Sequence, residues 1–159
     1  MMVATSTDSK NPIGRAGTYF ASWSGDPAKP AALRQLREKH GYLITATWID
    51  RFSGKDADHI SDLWVMSELW LRIEREVASS ERLVIDLAGE TLNPSGVFVE
   101  VHMAVRAGVR VYIVLNGLEI DPVRYTVMER WIDQPLIQFV PDIATALAGA
   151  DKVDLLTTP

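Results

Sequence analysis

The sequence predicts a three-layer α/β sandwich built around a five-stranded parallel sheet. Strand-like and helical segments alternate along the 159 residues, and their short connections favour parallel strands joined by right-handed crossovers. Residues 82–87 and 110–115 contain continuous rather than alternating apolar runs, as strands covered on both faces do. Five strands of this kind favour the flavodoxin-like order 2-1-3-4-5, with any ligand at the carboxyl ends of strands one, three and four.

The first elements are identified by their residue types and by the turns that end them. Residues 17–22 contain β-formers and stop at a Ser-Gly-Asp-Pro turn, which predicts the first strand. The pattern of residues 28–39 is helical, and Gly41 ends it. Residues 42–49 form a β-branched and aromatic run, which predicts the second strand, and a polar loop follows at residues 50–58.

A helix over residues 59–78 follows, because its apolar residues are spaced by three and four positions. The stripe consists of Leu63, Met66, Trp70, Ile73 and Val77. Trp64, Val65, Leu69 and Leu71 fall off this stripe. A helix that is apolar on two sides either meets a second subunit or is deeply buried within one chain. We expect a homodimer or a larger homo-oligomer, with burial in one chain as the alternative.

The remaining elements repeat the strand-helix order. Residues 82–87 form the third strand, residues 95–107 a helix closed by Gly108, and residues 110–115 the fourth strand. A short helix at 123–131, a fifth strand at 136–140 and a terminal helix at 141–150 complete the fold. We expect residues 1–15 to be a disordered leader and residues 16–159 to be a single domain.

Composition excludes several functional classes. The chain has no cysteine and only three histidines, at no metal-ligand spacing, so we predict neither a metal site nor a disulfide, and a cytoplasmic location. The net charge of −5 without a long basic cluster argues against polymeric nucleic acid as a partner. No apolar run approaches the ~20 residues that cross a bilayer. The glycine-rich loops of nucleotide cofactor sites are also absent, so we predict no cofactor.

The helix at residues 95–107 carries the most informative constellation. Ser95 is placed to cap it, and the amide of Gly96 would face an anion at the carboxyl edge of the sheet. At 100° per residue, Glu100 points away from His102 and Arg106, into an apolar stripe. A carboxylate there is costly unless it is paired or protonated, so it indicates a site. The alternative is a solvated or salt-bridged glutamate at the rim of the stripe.

Other candidates lie at the carboxyl ends of the predicted strands. Asp86 ends the third strand, where it either acts in a site or fixes a neighbouring loop through backbone N–H groups. Further candidate contacts follow the first, third and fourth strands: Tyr19, Ser22, Trp23, Ser24, Asn93 and Asn116.

These residues resemble the nucleoside 2-deoxyribosyltransferase-like proteins, a family that includes nucleotide N-glycosidases. The resemblance covers residues 17–116 and rests on three segments. They are the opening Tyr19-Phe20-Ala21-Ser22, the strand at 83–87, and a helix with Gly96, Glu100 and Ala104 at four-residue spacing, followed by Gly108 and the strand at 111–115.

The resemblance implies that residues 16–159 are one deoxyribosyltransferase-like domain in which Glu100 is the nucleophile. Glu100 would attack the anomeric carbon of a nucleoside or nucleotide, with Tyr19 near the sugar. Ser95, Gly96 and Asn93 would hold a sugar hydroxyl or a 5′-phosphate, and Trp23 would stack on the base. The family's upstream carboxylate is matched in spacing by Glu74 or Glu76, and an Asp common in the family is replaced by Pro94.

Three functions follow as alternatives. The leading one is cleavage or transfer of an N-glycosidic bond, with hydrolysis and transfer both open. The second is a degenerate member of the same fold that binds a nucleotide without catalysis. The third is an NAD glycohydrolase, which also uses a glutamate on a five-stranded flavodoxin-like sheet.

Overall fold

The computed structural model describes residues 14–21, 28–51, 63–86, 95–117 and 133–153, except for the side chains of residues 51, 63–66, 95 and 96. Four parallel strands form its sheet, in the order β1 (Thr18–Ala21), β2 (Arg82–Asp86), β3 (Arg110–Val114) and β4 (Ile137–Val140). They correspond to the predicted strands one, three, four and five. The α/β class and the parallel sheet are therefore confirmed.

The helices between these strands are α1 (Ala28–His40), α2 (Trp48–Arg51), α3 (Leu63–Ser79), α4 (Ser95–Arg106) and α5 (Ile143–Ala146). Gly41 and Gly108 follow α1 and α4 with φ of 71° and 73°, as expected of glycines that end helices. In the described part of the chain, no helix is both long enough and apolar enough to cross a membrane.

The helices cover both faces of the sheet, as in a three-layer sandwich. Successive side chains of a strand point to opposite faces. Tyr19 contacts Glu100 of α4 on one face, and α3 packs beside α4. Phe20 lines a cavity with α1 on the other face, together with Ile143 of α5. This arrangement explains why β2 is buried along nearly all of its length.

The predicted second strand, residues 42–49, is wrong as a strand. Among the described residues it makes one parallel bridge to β1, between Ile44 and Thr18, and one antiparallel bridge from Tyr42 to Lys152. Its backbone hydrogen bonds are divided between β1 and the C-terminal segment 151–153, and the chain then turns into α2 at Trp48. Because the partner changes within a few residues, no continuous ladder develops despite the β-forming composition.

Several other predictions meet the structure only in part. The terminal helix predicted at 141–150 is only the four-residue α5. Asp142 caps its start by accepting a hydrogen bond from the Thr145 amide at 2.7 Å. The predicted helix at 123–131 and most of the leader, residues 1–13, lie outside the described residues. Arg15, at the end of the predicted leader, donates a hydrogen bond to the Ala107 carbonyl. The folded region therefore includes Arg15.

A buried arginine holds α5 against one face of the sheet. Arg82 on β2 donates from Nη1 to the carbonyls of Ala146 at 3.0 Å and Ala148 at 3.1 Å. Its guanidinium also lies 5.5 Å from the centroid of the Tyr112 ring on β3. A buried cation is costly without such partners, so this arginine joins the sheet to the C-terminal turn.

Candidate active site

A buried carboxylate faces the sheet at the middle of α4. Glu100 is only 7% exposed, and the hydroxyl of Tyr19, which is fully buried, donates to its Oε1 at 3.5 Å. His102 and Arg106 of the same helix are exposed. The helical phase that predicted an inward-pointing Glu100 is therefore correct, and the alternative of a solvated rim glutamate is wrong.

Tyr19 lies in an environment that keeps its hydroxyl protonated. Burial raises the pKa of this hydroxyl far above its ordinary value, and the carboxylates of Glu100 and Glu76 raise that pKa further. Arg72 partly offsets their effect. Because the hydroxyl keeps its proton over the physiological range, it remains available as a hydrogen-bond donor to an oxygen of Glu100.

The two upstream carboxylates on α3 lie on different sides of the helix. Glu76 faces inward, near Tyr19, and accepts hydrogen bonds from the Thr47 amide at 3.3 Å and from the Thr47 hydroxyl. Glu74 is exposed and lines a groove between α3 and α4 on the side away from the sheet. Of the two alternatives left by spacing, only Glu76 lies with Tyr19 and Glu100.

Asp86 belongs to the other face of the sheet. In the parallel register Phe20 pairs with Val84 and Ala21 with Ile85, so Asp86 shares the face of Phe20 rather than that of Tyr19. There it lines a cavity of about 360 Å³ between α1 and the sheet. Asn116 donates from Nδ2 to Asp86 Oδ1 at 2.8 Å. Two predicted site residues thus meet each other, but on the face opposite to Glu100.

Several predicted contacts fall outside the described residues. These are Ser22, Trp23 and Ser24 after β1, and Asn93 before α4. The helix α4 begins at Ser95, as predicted, but the side chain of Ser95 and the contacts of Gly96 are likewise outside the description. The predicted anion site at this helix terminus stays a prediction.

The sequence reasoning missed three residues beside the Tyr19–Glu100 pair. Thr47 binds Glu76, and the Trp48 indole donates to the Phe20 carbonyl at 2.8 Å. Arg72 precedes Glu76 by four residues and therefore lies on the same side of α3. That i, i+4 spacing was a signal in the sequence. Thr47 carries no such signal, because the sequence predicts a regular strand for residues 42–49.

Chemically, the arrangement offers a buried carboxyl oxygen that accepts a hydrogen bond from a neutral hydroxyl. The described residues contain no cluster of three or more metal-binding side chains of the His, Cys, Asp or Glu type. No protein-family model matches the chain, and no curated protein or solved structure matches it either.

Proposed function

We propose that this protein cleaves or transfers the N-glycosidic bond of a nucleoside or nucleotide, with Glu100 as the nucleophile. The observation that carries the proposal is the burial of Glu100 against the Tyr19 hydroxyl, at 3.5 Å, on the sheet side of α4. A buried carboxylate is costly for the fold unless it is paired or protonated, and such groups concentrate at functional sites. The resemblance of the Gly96, Glu100 and Ala104 spacing adds to this support.

In the proposed reaction, a carboxylate oxygen of Glu100 attacks the anomeric carbon of the sugar. The bond from that carbon to the base nitrogen breaks, and its electron pair leaves with the base, which takes up a proton. A glycosyl ester of Glu100 results, and water or a second base then attacks the same carbon, loses a proton that balances the one the first base took up, and releases the carboxylate. Two displacements at one carbon retain its configuration.

Tyr19 is a positioning residue in this scheme. Its hydroxyl donates to Glu100 Oε1 and so orients the carboxylate for attack on the anomeric carbon. Glu76 accepts hydrogen bonds from Thr47 and so holds the segment before α2. Its own carboxylate is the second one near Tyr19. Arg72 supplies positive charge on the same side. The overall charge of −5 would repel an anionic substrate, so a phosphate needs a local cation of this kind.

A nucleotide-binding protein without catalysis is the second candidate. It is favoured by the hydrogen bonds that Thr47 makes to both oxygens of Glu76, because these leave that carboxylate occupied as an acceptor. It is also favoured by the position of Asp86 on the opposite face. Neither carboxylate is then placed to protonate a leaving base.

The purified chain should be incubated with deoxynucleosides, ribonucleosides, nucleoside 5′-monophosphates and NAD, and base release followed by chromatography. Glu100→Gln should lower release by at least about 10³-fold, as removal of a nucleophile does. Glu38→Gln, a change of an exposed glutamate on α1, is the matched control and should leave the rate unchanged.

Each outcome separates the candidates. Undiminished release by Glu100→Gln would contradict the assignment of the nucleophile. Nucleotide binding, seen as a raised melting temperature, without release of base from any substrate would favour the binding protein. Nicotinamide release from NAD would indicate an NAD glycohydrolase, and appearance of an exchanged nucleoside after addition of a free base would indicate transfer. We also expect a cytoplasmic location, from the cysteine-free sequence.

For the fold, we propose that residues 41–45, although they form no continuous ladder, take the edge position of a fifth strand beside β1. Ile44 bridges Thr18 in parallel orientation on the side of β1 away from β2. With this segment counted, the strand order would be the flavodoxin-like 2-1-3-4-5.

A further inference from the structure

The cavity between α1 and the sheet lies on the face opposite to Glu100, and we call it the α1 cavity. Its volume of about 360 Å³ is within the range of roughly 300–1,000 Å³ that is typical of small-molecule pockets. Its apolar wall includes Phe20 of β1, Leu33 and Leu36 of α1, and Ile143 of α5. A wall of this kind suits the apolar part of a small organic molecule.

Two side chains of opposite charge line the same cavity. Asp86 is the last residue of β2, Lys29 lies in the first turn of α1, and both are half-buried. Asn116 donates from Nδ2 to Asp86 Oδ1 at 2.8 Å and so orients the carboxylate. An ionised carboxylate only accepts hydrogen bonds, and an ammonium only donates them. A ligand that matches both groups therefore needs a donor for Asp86 and an acceptor for Lys29.

The charged and the apolar parts of the α1 cavity lie at different depths. Strand β1 ends at Ala21 and α1 follows after a short connection, so α1 starts at the carboxyl edge of the sheet and runs back along it. Lys29 and Asp86 both lie at this edge, whereas Leu33 and Leu36 follow Lys29 by about one and two helical turns. This is the edge at which open α/β sheets bind ligands.

We propose that the α1 cavity binds a free apolar α-amino acid. The α-ammonium group of the ligand would donate to Asp86, its α-carboxylate would accept from Lys29, and its side chain would extend along the apolar wall towards Leu36. Charge complementarity favours this class of ligand. A simple amine would bring a positive charge towards Lys29, and a simple carboxylate would bring a negative charge towards Asp86, with no second charge to offset the repulsion. The proposal does not depend on the reaction assigned to Glu100.

Isothermal titration calorimetry of the full chain tests the class of ligand. The probes L-leucine and L-phenylalanine should bind. Glycine, isoamylamine and isocaproate lack the apolar side chain, the carboxylate and the amino group, respectively. Each should bind at least about tenfold more weakly than L-leucine, because each loses one of the three matched parts. Absence of binding by both amino acids, or binding of any of the three analogues as tight as that of L-leucine, would overturn the proposal.

A cavity-filling substitution tests where the amino acid binds. Ala32 is an exposed residue of α1 that lines the cavity, so Ala32→Trp brings a large side chain into it without changing the buried core. This variant should raise the dissociation constant for L-leucine at least about tenfold. Gln35→Trp is the matched control, because Gln35 is an exposed residue of α1 outside the cavity lining, and it should leave the constant unchanged. Equal effects of the two variants would overturn the proposal.

Two further variants test the charged groups. Asp86→Asn and Lys29→Met nearly preserve the size of each side chain and remove its charge. Each should raise the dissociation constant for L-leucine at least about tenfold, because the opposite charge on the ligand then loses its partner. Unchanged affinity in both variants would contradict recognition of the amino acid by these groups. Circular dichroism of each variant verifies that the fold is retained.

Discussion

At the scale of single residues, the pair formed by Tyr19 and Glu100 connects the fold with the proposed chemistry. Both side chains are buried, and the phase of α4 against β1 brings them together. Neighbouring positions on α3 face different directions. Glu76 faces the Tyr19–Glu100 pair, whereas Glu74, two residues earlier, lines the groove between α3 and α4. A helical step of two residues turns the side chain by about 200°, which is enough to separate site from surface.

The alkaline stability of the protein should depend on Tyr19. Its pKa is raised in the folded protein, so its contribution is fully present below the unfolded pKa near 10 and is lost as the pH rises above that value. We expect the free energy of unfolding to fall by up to about 1.4 kcal/mol per pH unit from this group. Tyr19→Phe should lack that component.

Urea denaturation at pH 8 and at pH 11 measures this contribution of the Tyr19 hydroxyl to the free energy of unfolding. The advantage of the unaltered protein over Tyr19→Phe should shrink on going to the higher pH. Tyr42→Phe, at a half-buried tyrosine away from the pair, provides the comparison. An identical pH dependence for the unaltered protein and Tyr19→Phe would show that this hydroxyl ionises as freely in the folded chain as in the unfolded one.

At the scale of elements, Gly17 is where the segment 41–45 meets β1. Its φ is 81°, and a Cβ at this position would lie 2.9 Å from Leu43 Cγ and 2.9 Å from Thr45 Cγ2. Both contacts are closer than carbon atoms tolerate. The segment can reach Thr18 for its bridge only because the residue before β1 has no side chain.

Gly17→Ala should destabilise the protein by about 2–4 kcal/mol, the sum of left-handed backbone strain and overpacking. Gly149→Ala separates the two terms. Gly149 has a similar φ of 73° with nothing within 4 Å, so it should cost only about 1–2 kcal/mol of backbone strain. Urea denaturation of each variant at neutral pH measures the loss of unfolding free energy. Equal losses would mean that the contacts with Leu43 and Thr45 relax without cost.

The elements differ in how far the sequence determines them. The strands β2 and β3 could be predicted because they are covered on both faces, so each contains a continuous apolar run, residues 83–85 in β2 and 111–114 in β3. Glu100 could be predicted because helical phase is local. The irregular segment 41–45 could not, since its partners at Thr18 and Asp151 are far away in the sequence. The face of Asp86 could not either, because the register of β2 against β1 decides it.

At the scale of the whole molecule, the C-terminal segment 151–153 joins both ends of the described chain to the sheet. Asp151 accepts from the Gly17 amide at 3.0 Å, and its carbonyl accepts from the Leu43 amide at 3.0 Å. The Val153 amide donates to the Gly41 carbonyl, and the ammonium of Lys152 lies 4.5 Å from the centroid of the Tyr42 ring. The segment therefore holds residues 41–43, which precede the bridge to β1, and Gly17 in place.

Truncation after Ala150 should lower the free energy of unfolding by about 2–3 kcal/mol, from three hydrogen bonds at about 1 kcal/mol each. Truncation after Val153 retains all three hydrogen bonds and is the reference from which the loss is measured. Thermal or urea unfolding of the two shortened chains gives the comparison. A larger loss in the longer chain would place the stabilising contacts beyond Val153.

The meeting of Gly17 and Asp151 also determines how the molecule would respond to mechanical force. Tension applied between the two ends of the described chain would load the Gly17–Asp151 hydrogen bond and the bridge between Tyr42 and Lys152, together with the hydrogen bonds of Arg15 and Ala16 near the other end. In a single-molecule pulling experiment, we expect the C-terminal segment to detach at a lower force than the force that shears the parallel sheet.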